Sequence, residues 1–561
     1  MKKWVFCMYC LVSFPLFSQS MYLELNLNET GGNPLARPKS QIEAFRVIER
    51  AANDSKISGI ILNIGAVSGD RGYLWELRTA LEQFKSHGKK ICAFLSNADI
   101  DIYCLASVAD KIVMDELGTL SLLGYSVNRS YVQHTLEKLG IGVRELRYFE
   151  YKSAAETYTR DSMSEEDRRQ YNDYLDDIFN LTRNTLISAR NWTDEEFDAI
   201  LNREFLYSAR SAQSRGLVDR VGRKDAVIEA IKEIEGAEIK KFVLYGDSVS
   251  SLMGDQTAYG PPKTAFFRRP PIIAVVYANG QTDMEGGMSA LKLSKTIREL
   301  ADTRRVRAIV IRINSPGGSA EAADYFAEAV RYAKSKKPVV VSMGEVAASG
   351  GYWAAVNASH ITATPYTITG SIGVIGSWFY DNGLNDKLGV STDTILRGAH
   401  ADLLTGVFLP YRNLSPQEEE RYRSYILDLY TNFIEKVVSG RGMESEKVEA
   451  AAQGRIFSGV RALDAGLIDS IGGLSDALRI ARSLAEIQQN KNVRYDEYPK
   501  PTFFQKLLSS FPIVSALFGN KQNSQTQTAA FLADLFLPYA DIRYRLQKNG
   551  QVMPILPLGF P

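Results

Sequence analysis

Ser342-Met343-Gly344-Glu345-Val346-Ala347-Ala348-Ser349-Gly350-Gly351-Tyr352-Trp353 follows the β-branched run Pro338-Val339-Val340-Val341 and precedes Ala354-Ala355-Val356. The order reads as a buried strand, a turn of small residues, then a helix. Between Ala348 and two glycines, no neighbour is large enough to cover the hydroxyl of Ser349. At a helix start it would also meet backbone N–H groups without intrahelical partners, which suit a developing oxyanion. Taken alone, the stretch reads equally well as a tight strand–helix junction that needs a small side chain for packing.

A second glycine turn, Asn314-Ser315-Pro316-Gly317-Gly318, ends the strand-like run Arg307-Ala308-Ile309-Val310-Ile311-Arg312-Ile313. Two strand ends with glycine turns can aim two backbone donors at one point, as an oxyanion hole requires. Joined to Thr369-Gly370-Ser371-Ile372-Gly373, these motifs resemble the signal peptide peptidase A (protease IV) family, serine–lysine peptidases on the Clp-protease/crotonase fold. The resemblance covers roughly residues 22–485, and its specificity lies in the combination of motifs.

At 561 residues the chain exceeds one ordinary core. Its 66 Lys+Arg against 65 Asp+Glu give no reason to expect nucleic acid or another polyanion as partner. An apolar content of 45% and a charged content of 23% fit a globular protein. No metal-ligand spacing and no phosphate-binding glycine loop is present, so neither metal nor cofactor is expected. Cys7 and Cys10 lie near the N-terminus, leaving Cys92 and Cys104, too few for a disulfide framework and expected to pack in the core.

Residues 1–20 stand apart. Lys2 and Lys3 precede the apolar run Trp4 to Phe17, and Ser18-Gln19-Ser20 follows. The run is short against the ~20 residues of a spanning helix, so it reads as an export signal. The resemblance keeps an uncleaved anchor open. Either way the body is expected outside the cytoplasm: in the cell envelope, periplasmic or associated with the inner membrane.

The body contains an internal repeat. Ser58 to Ile64 matches Arg307 to Ile313, 249 positions on, and Tyr103-Cys104-Leu105-Ala106 matches Tyr352-Trp353-Ala354-Ala355 at the same spacing. Leu139-Gly140-Ile141 likewise matches Leu388-Gly389-Val390. Ser208 to Gly222 matches Ser458 to Gly472 at a spacing of 250. Each copy alternates strands with longer helical patterns, which implies mostly parallel sheets covered by helices.

The copies share a frame and differ in chemistry. Gly65 to Gly69 replaces Asn314 to Gly318, and Ile100 stands in the place of Ser349, so the first copy has no such serine. It has instead Glu150-Tyr151-Lys152-Ser153-Ala154-Ala155-Glu156, where the second copy carries Ala401. A serine hydroxyl is a weak nucleophile until a base takes its proton. Lysine can be that base only when neutral, which requires burial to lower its pKa. By itself Lys152 reads as one more surface cation. The repeat asymmetry and the family pattern Tyr-Lys-Ser-Ala make it the base of one composite site per chain. Glu150 and Glu156 would oppose this if they pointed inward.

Four histidines bear on a rival triad: His87 in a loop, His134 in a helix beginning near Ser130, His360 at a helix end, and His400 beside Ala401. Only His400 sits where a base is wanted, and a surface loop is its plain reading. Glu165 to Ala189 and Pro416 to Ser439 read as core-facing amphipathic helices. Beyond residue 497 the repeat ends. Apolar stretches there suit packing on the second repeat or a neighbouring subunit, with membrane-surface contact the alternative.

The expected fold is α/β, two tandem crotonase/ClpP-like repeats with helices on mostly parallel sheets. The expected divisions are 1–20 (signal or anchor), 21–255 (first repeat, with the lysine), 256–271 (linker), 272–496 (second repeat, with the serine) and 497–561 (C-terminal extension). The resemblance implies a serine endopeptidase in which Ser349 attacks, Lys152 is base and then acid, and the backbone N–H groups of Gly318 and Gly350 hold the oxyanion. It further implies that cleaved signal peptides and other unfolded apolar peptides are the substrates, near a membrane surface, in a homo-oligomeric, tetrameric ring. Two alternatives stand beside it. A crotonase-type acyl-CoA enzyme would need neither Ser349 nor Lys152, and in a non-catalytic membrane scaffold the serine would be only a turn residue.

Overall fold

The computed structural model describes residues 21–27, 40–64, 70–236, 241–244, 270–488 and 491–500. The expected signal or anchor at 1–20, the stretch Gly65 to Gly69, most of the expected linker and the residues beyond 500 lie outside the described residues. Among the described residues, no helix is long and apolar enough to cross a membrane.

In chain order the strands are β1 (Met21–Asn26), β2 (Gly59–Ile64), β3 (Lys90–Asp99), β4 (Lys111–Ser121), β5 (Ile141–Arg147), β6 (Leu206–Ser208), β7 (Arg220–Val221), β8 (Lys241–Leu244), β9 (Ile272–Asn279) and β10 (Thr282–Asp283). There follow β11 (Met288–Ser289), β12 (Val306–Ser315), β13 (Val339–Ala348), β14 (His360–Ala363), β15 (Ile368–Gly370), β16 (Ile375–Asp381), β17 (Ile456–Phe457), β18 (Ser470–Ile471) and β19 (Arg494–Tyr498). The chain divides into two compact units. One comprises the described parts of Met1–Ser68, Leu77–Leu123 and Thr185–Gly260; the other, those of Gly69–Glu76, Gly124–Asn184 and Pro261–Pro561.

In the first unit the sheet runs β6-β4-β3-β2-β1-β8, with β7 on β4, and only β4–β6 is antiparallel. In the second it runs β17-β15-β13-β12-β9-β19, with β14 between β13 and β18, and only β15–β17 is antiparallel. Parallel strands covered on both faces should be apolar runs of β-branched residues. Accordingly Ile309, Val310 and Ile311 of β12 and Val339, Val340 and Val341 of β13 are fully buried. Fully burying each such side chain is worth roughly 1.5–3 kcal/mol, which makes this pair of strands the fixed base of everything at their C-terminal ends.

The repeat is visible in hydrogen bonds. Tyr103 Oη donates to Leu217 O (2.7 Å) in the first copy and Tyr352 Oη to Leu467 O (2.9 Å) in the second. Asp219 accepts from Ile112 N and Asp469 from Ile361 N, both at 2.7 Å. Cys92 and Cys104 are free, buried thiols. The long helices span Glu165–Arg190 and Pro416–Arg441. Residues 124–184 of the first copy belong to the second unit, where β5 pairs antiparallel with β16 from Ile375↔Arg147 to Asp381↔Ile141.

Two local differences from the sequence reading have physical causes. The strand before Ser349 continues through Ala348, because Ser342 to Ala348 find ladder partners on β12, β14 and β15. The helix holding His134 spans Gln133–Leu139 rather than starting near Ser130, and residues 126–132 belong to neither helix nor strand.

Candidate active site

β13 ends at Ala348, and the helix Gly350–Ala355 begins two residues later, so Ser349 alone makes the turn. Its backbone has φ 53° and ψ −118°, a conformation costing of order 1–3 kcal/mol for a residue with a side chain. Its N–H donates to Gly370 O (2.9 Å), and its carbonyl accepts from Trp353 N (2.9 Å). Both anchors hold the side chain off the strand end, half-buried.

The Asn314 to Gly318 turn sits against this junction. A methyl group on Gly317 (φ +103°) would lie 2.7 Å from Ser349 Cβ and 2.8 Å from Gly350 N. One on Gly318 (φ +149°) would lie 2.2 Å from Thr282 O. Only glycine fits at either place. The turn is held by Thr282 N to Gly317 O (2.7 Å), Ser319 N to Thr282 O (2.9 Å) and Gly317 N to Ser315 Oγ (3.3 Å). A methyl on Gly350 would lie 3.2 Å from Gly318 N. The amides of Gly318 and Gly350 are therefore close neighbours beside Ser349, and neither donates a hydrogen bond among the described residues.

Lys152 lies on the turn after β5, inside the second unit. Its Nζ is 3.0 Å from Ser349 Oγ, 2.7 Å from Ser371 O and 2.9 Å from Ser371 Oγ. The residue is 6% exposed, and burial pushes its pKa from the ordinary 10.5 down to about 7. A neutral amine has two hydrogens and one lone pair. With the hydrogens on the two oxygens of Ser371, the lone pair faces the Ser349 hydroxyl. Neither nearby carboxylate opposes this. Glu150 is exposed. Glu156 is buried, which would raise its pKa, but hydrogen bonds from Ser164 and Arg147 hold it below the usual carboxylate range.

The lysine turn is clamped from the second repeat. Tyr151 N donates to Gln453 O (2.9 Å), and a methyl on Gly454 (φ +82°) would lie within 2.5–2.7 Å of Lys152 N, Cα and Cβ. Gln170, on the helix Glu165–Arg190, donates to Tyr151 O and Ser153 Oγ (both 3.2 Å) and accepts from Ile456 N (3.1 Å). Asp167 takes Ser153 Oγ and the Arg129 guanidinium. Lys152 is thus tied to β17, which pairs with the strand leading to Ser371.

Ser371 and Gln170 are missing from the sequence reading. Ser371 lay within a quoted motif, and the test that singled out Ser349 applies to it: 249 positions earlier stands Leu122, a core residue. Gln170 carries no such signal. His400, the rival base, pairs with Glu418 (2.7 Å) in a surface cluster with Arg412 and Asp402. In the first repeat Ile100 is buried at a helix start, away from any chemistry.

A mostly parallel α/β frame thus brings a serine and a buried amine beside two amides that donate to nothing among the described residues. The family model Peptidase family S49 matches residues 83–239 and 331–488, once in each repeat. The chain belongs to peptidase family S49. It is 32% identical over 460 residues to the chloroplastic serine protease SPPA of Arabidopsis thaliana, covering 81% of this chain and 67% of that one. It is 30% identical over 483 residues to Protease 4 of Haemophilus influenzae, covering 83% and 77%. Among solved structures, ClpP1 from Listeria monocytogenes aligns with 36% of this chain and 94% of its own, at 20% identity and a TM-score of 0.23. The chain is a serine endopeptidase.

Proposed function

We propose that Ser349 and Lys152 form the catalytic dyad of a peptidase acting on remnant signal peptides and other unfolded, apolar peptides. Neutral Lys152 takes the hydroxyl proton as Ser349 Oγ adds to the scissile carbonyl. The oxyanion forms between the N–H groups of Gly318 and Gly350. The lysine ammonium then gives the proton to the leaving amine, and water cleaves the acyl-enzyme by the same steps in reverse. The observation that carries this reading is the 3.0 Å approach of a buried amine, its pKa near 7, to the hydroxyl of a strained serine.

The substrate class rests on the likeness to the family. So does the place of work, outside the cytoplasm beside a membrane, and so does assembly with further copies of the chain. Labelling with a fluorophosphonate, which reacts with activated serines, tests the dyad. Wild type takes up one equivalent per chain, whereas Ser349→Ala and Lys152→Ala take up none. Labelling of the Ser349→Ala protein at another serine removes the reading.

A further inference from the structure

The turn that grips Lys152 is itself held from behind. Gln453 has φ 58°, a left-handed backbone conformation that is costly for a residue with a side chain. Held in it, Gln453 offers its carbonyl to Tyr151 N (2.9 Å), and the next amide, Gly454 N, donates to Ile372 O (2.7 Å). One turn therefore ties the segment bearing Lys152 to the residue that follows Ser371.

Tyr430, on the helix Pro416–Arg441, keeps Gln453 there. Its Oη accepts from Gln453 N (3.4 Å) and Gln453 Nε2 (3.2 Å), and donates to Glu449 Oε1 (2.7 Å). Glu449 accepts from Gln453 Nε2 as well. Burial, and after it the bond to Glu449, raises the pKa of Tyr430, so the hydroxyl keeps its proton throughout the neutral range. The same ring stacks on Phe149, with centroids 4.0 Å apart and planes 27° from parallel. Phe149 O in turn accepts from Lys152 N (3.3 Å). Tyr430 thus bears on the lysine turn twice: its ring on the residue that enters the turn, its hydroxyl on the residue that grips it.

The first repeat has no such hydroxyl. The helices Glu165–Arg190 and Pro416–Arg441 correspond at a spacing of 251: Arg190 donates to Gly216 O and pairs with Asp219, as Arg441 donates to Gly466 O and pairs with Asp469. At that spacing Phe179 stands in the place of Tyr430, and 250 positions before Gln453 stands the exposed Arg203. The hydroxyl is present in the copy that has a lysine turn to hold.

We infer that Tyr430 is a positioning residue for the dyad, bracing the Gln453 turn and the Phe149 end of the lysine segment so that the amine of Lys152 stays within reach of Ser349. The inference rests on the Ser349–Lys152 reading. The amine has to remain 3.0 Å from Ser349 Oγ and out of water at once. Without the hydroxyl, Gln453 is free to leave its left-handed turn and release Tyr151 N, while the stack on Phe149 keeps the helix in place. A displacement of about 1 Å in a reacting group can cost 10²-fold in rate. A looser turn also admits water to the amine, which penalises the ammonium less and raises its pKa towards the ordinary value.

The test uses the full chain and a fluorogenic peptide. Tyr430→Phe keeps the ring and should lower kcat by roughly 10–100-fold with KM within about twofold of wild type. Its kcat/KM profile should move to higher pH, whereas a mere loss of folded protein would leave the profile in place. Adding Gln453→Gly, which adopts a left-handed φ freely, should bring kcat back to within about threefold of wild type. Glu449→Ala leaves the tyrosine whole and removes its acceptor. It should move the profile the same way by less, and it takes over the test if Tyr430→Phe loses its circular dichroism. Wild-type kcat and an unmoved profile in Tyr430→Phe, with Lys152→Ala inactive, overturn the brace alone. So does a loss of kcat that neither moves the profile nor yields to Gln453→Gly. An active Lys152→Ala overturns the dyad reading and the brace with it.

Discussion

The same strand–helix junction occurs twice in this chain and is finished in two ways. In the first repeat, Asp99 caps the helix Ile100–Ala106 by accepting from Ile102 N (2.9 Å), and Ile100 turns into the core. In the second, Ser349 occupies the cap position with a positive φ, and no side chain satisfies the helix start. The frames superpose in register: Asp99 pairs with Ser121 as Ala348 pairs with Gly370. A good cap is worth about 1 kcal/mol. The second junction forgoes it and adds backbone strain, leaving a hydroxyl and free amides where the first has a closed, stable turn. In the proposed mechanism the difference is stability given up for chemistry, and the first repeat is the internal control.

The comparison breaks most sharply at the hydroxyl. Ser349→Ala should lower kcat/KM on a fluorogenic peptide by three orders of magnitude or more, with circular dichroism unchanged. Lys152→Arg should be nearly as inactive as Lys152→Ala, because guanidinium stays protonated at any accessible pH. In wild type, kcat/KM should rise with pH through a single deprotonation near 7, since the depressed amine is active only when neutral. A profile unchanged in Lys152→Arg would place the base elsewhere.

Gly318→Ala, whose methyl meets Thr282 O, should displace one oxyanion donor and cost about 10²–10³ in kcat with less change in KM. Ser371→Ala removes one acceptor from the lysine and should cost roughly 10–100-fold in kcat. The charged amine loses support, so the acid limb of the profile should move to lower pH. The smallest effect is expected in the control repeat: Ile100→Ser should leave titration with fluorophosphonate at one serine per chain.

One further measurement concerns stability. The folded pKa of Lys152 is depressed, so between pH 7 and 10.5 the unfolded chain binds the extra proton and stability rises with pH. Lys152→Met should therefore melt several degrees above wild type at pH 7. The gap should close as the pH approaches 10.5.

Much of the frame could be read from the chain because its signals are local. Valine and isoleucine runs mark buried parallel strands, glycine pairs mark their ends, and the 249-residue spacing persists in paired registers and in the Tyr103 and Tyr352 bonds. Ser349 and Lys152 were legible because each has an inert counterpart, Ile100 and Ala401. Ser371 was equally readable against Leu122, and only the comparison was missing. Gln170 was not, because a buried glutamine in a charged helix looks like any solvated one until its partners Tyr151 and Ile456, remote in sequence, are brought to it. The full length of β13 was hidden for a similar reason: Ser342 to Ala348 has little strand preference of its own and is held by neighbours on both sides.

The clamp on Lys152 has a consequence for timing. Lys152 emerges from the ribosome first, Ser349 some two hundred residues later, and the Gln453 to Ile456 segment that grips the lysine turn a further hundred after that. A chain still being made has the lysine turn without the contacts from Gln453 and Ile456, and the amine without Ser349 and Ser371. If the proposed dyad carries the activity, that activity therefore arrives only once the Gln453 to Ile456 segment of the second repeat has been made.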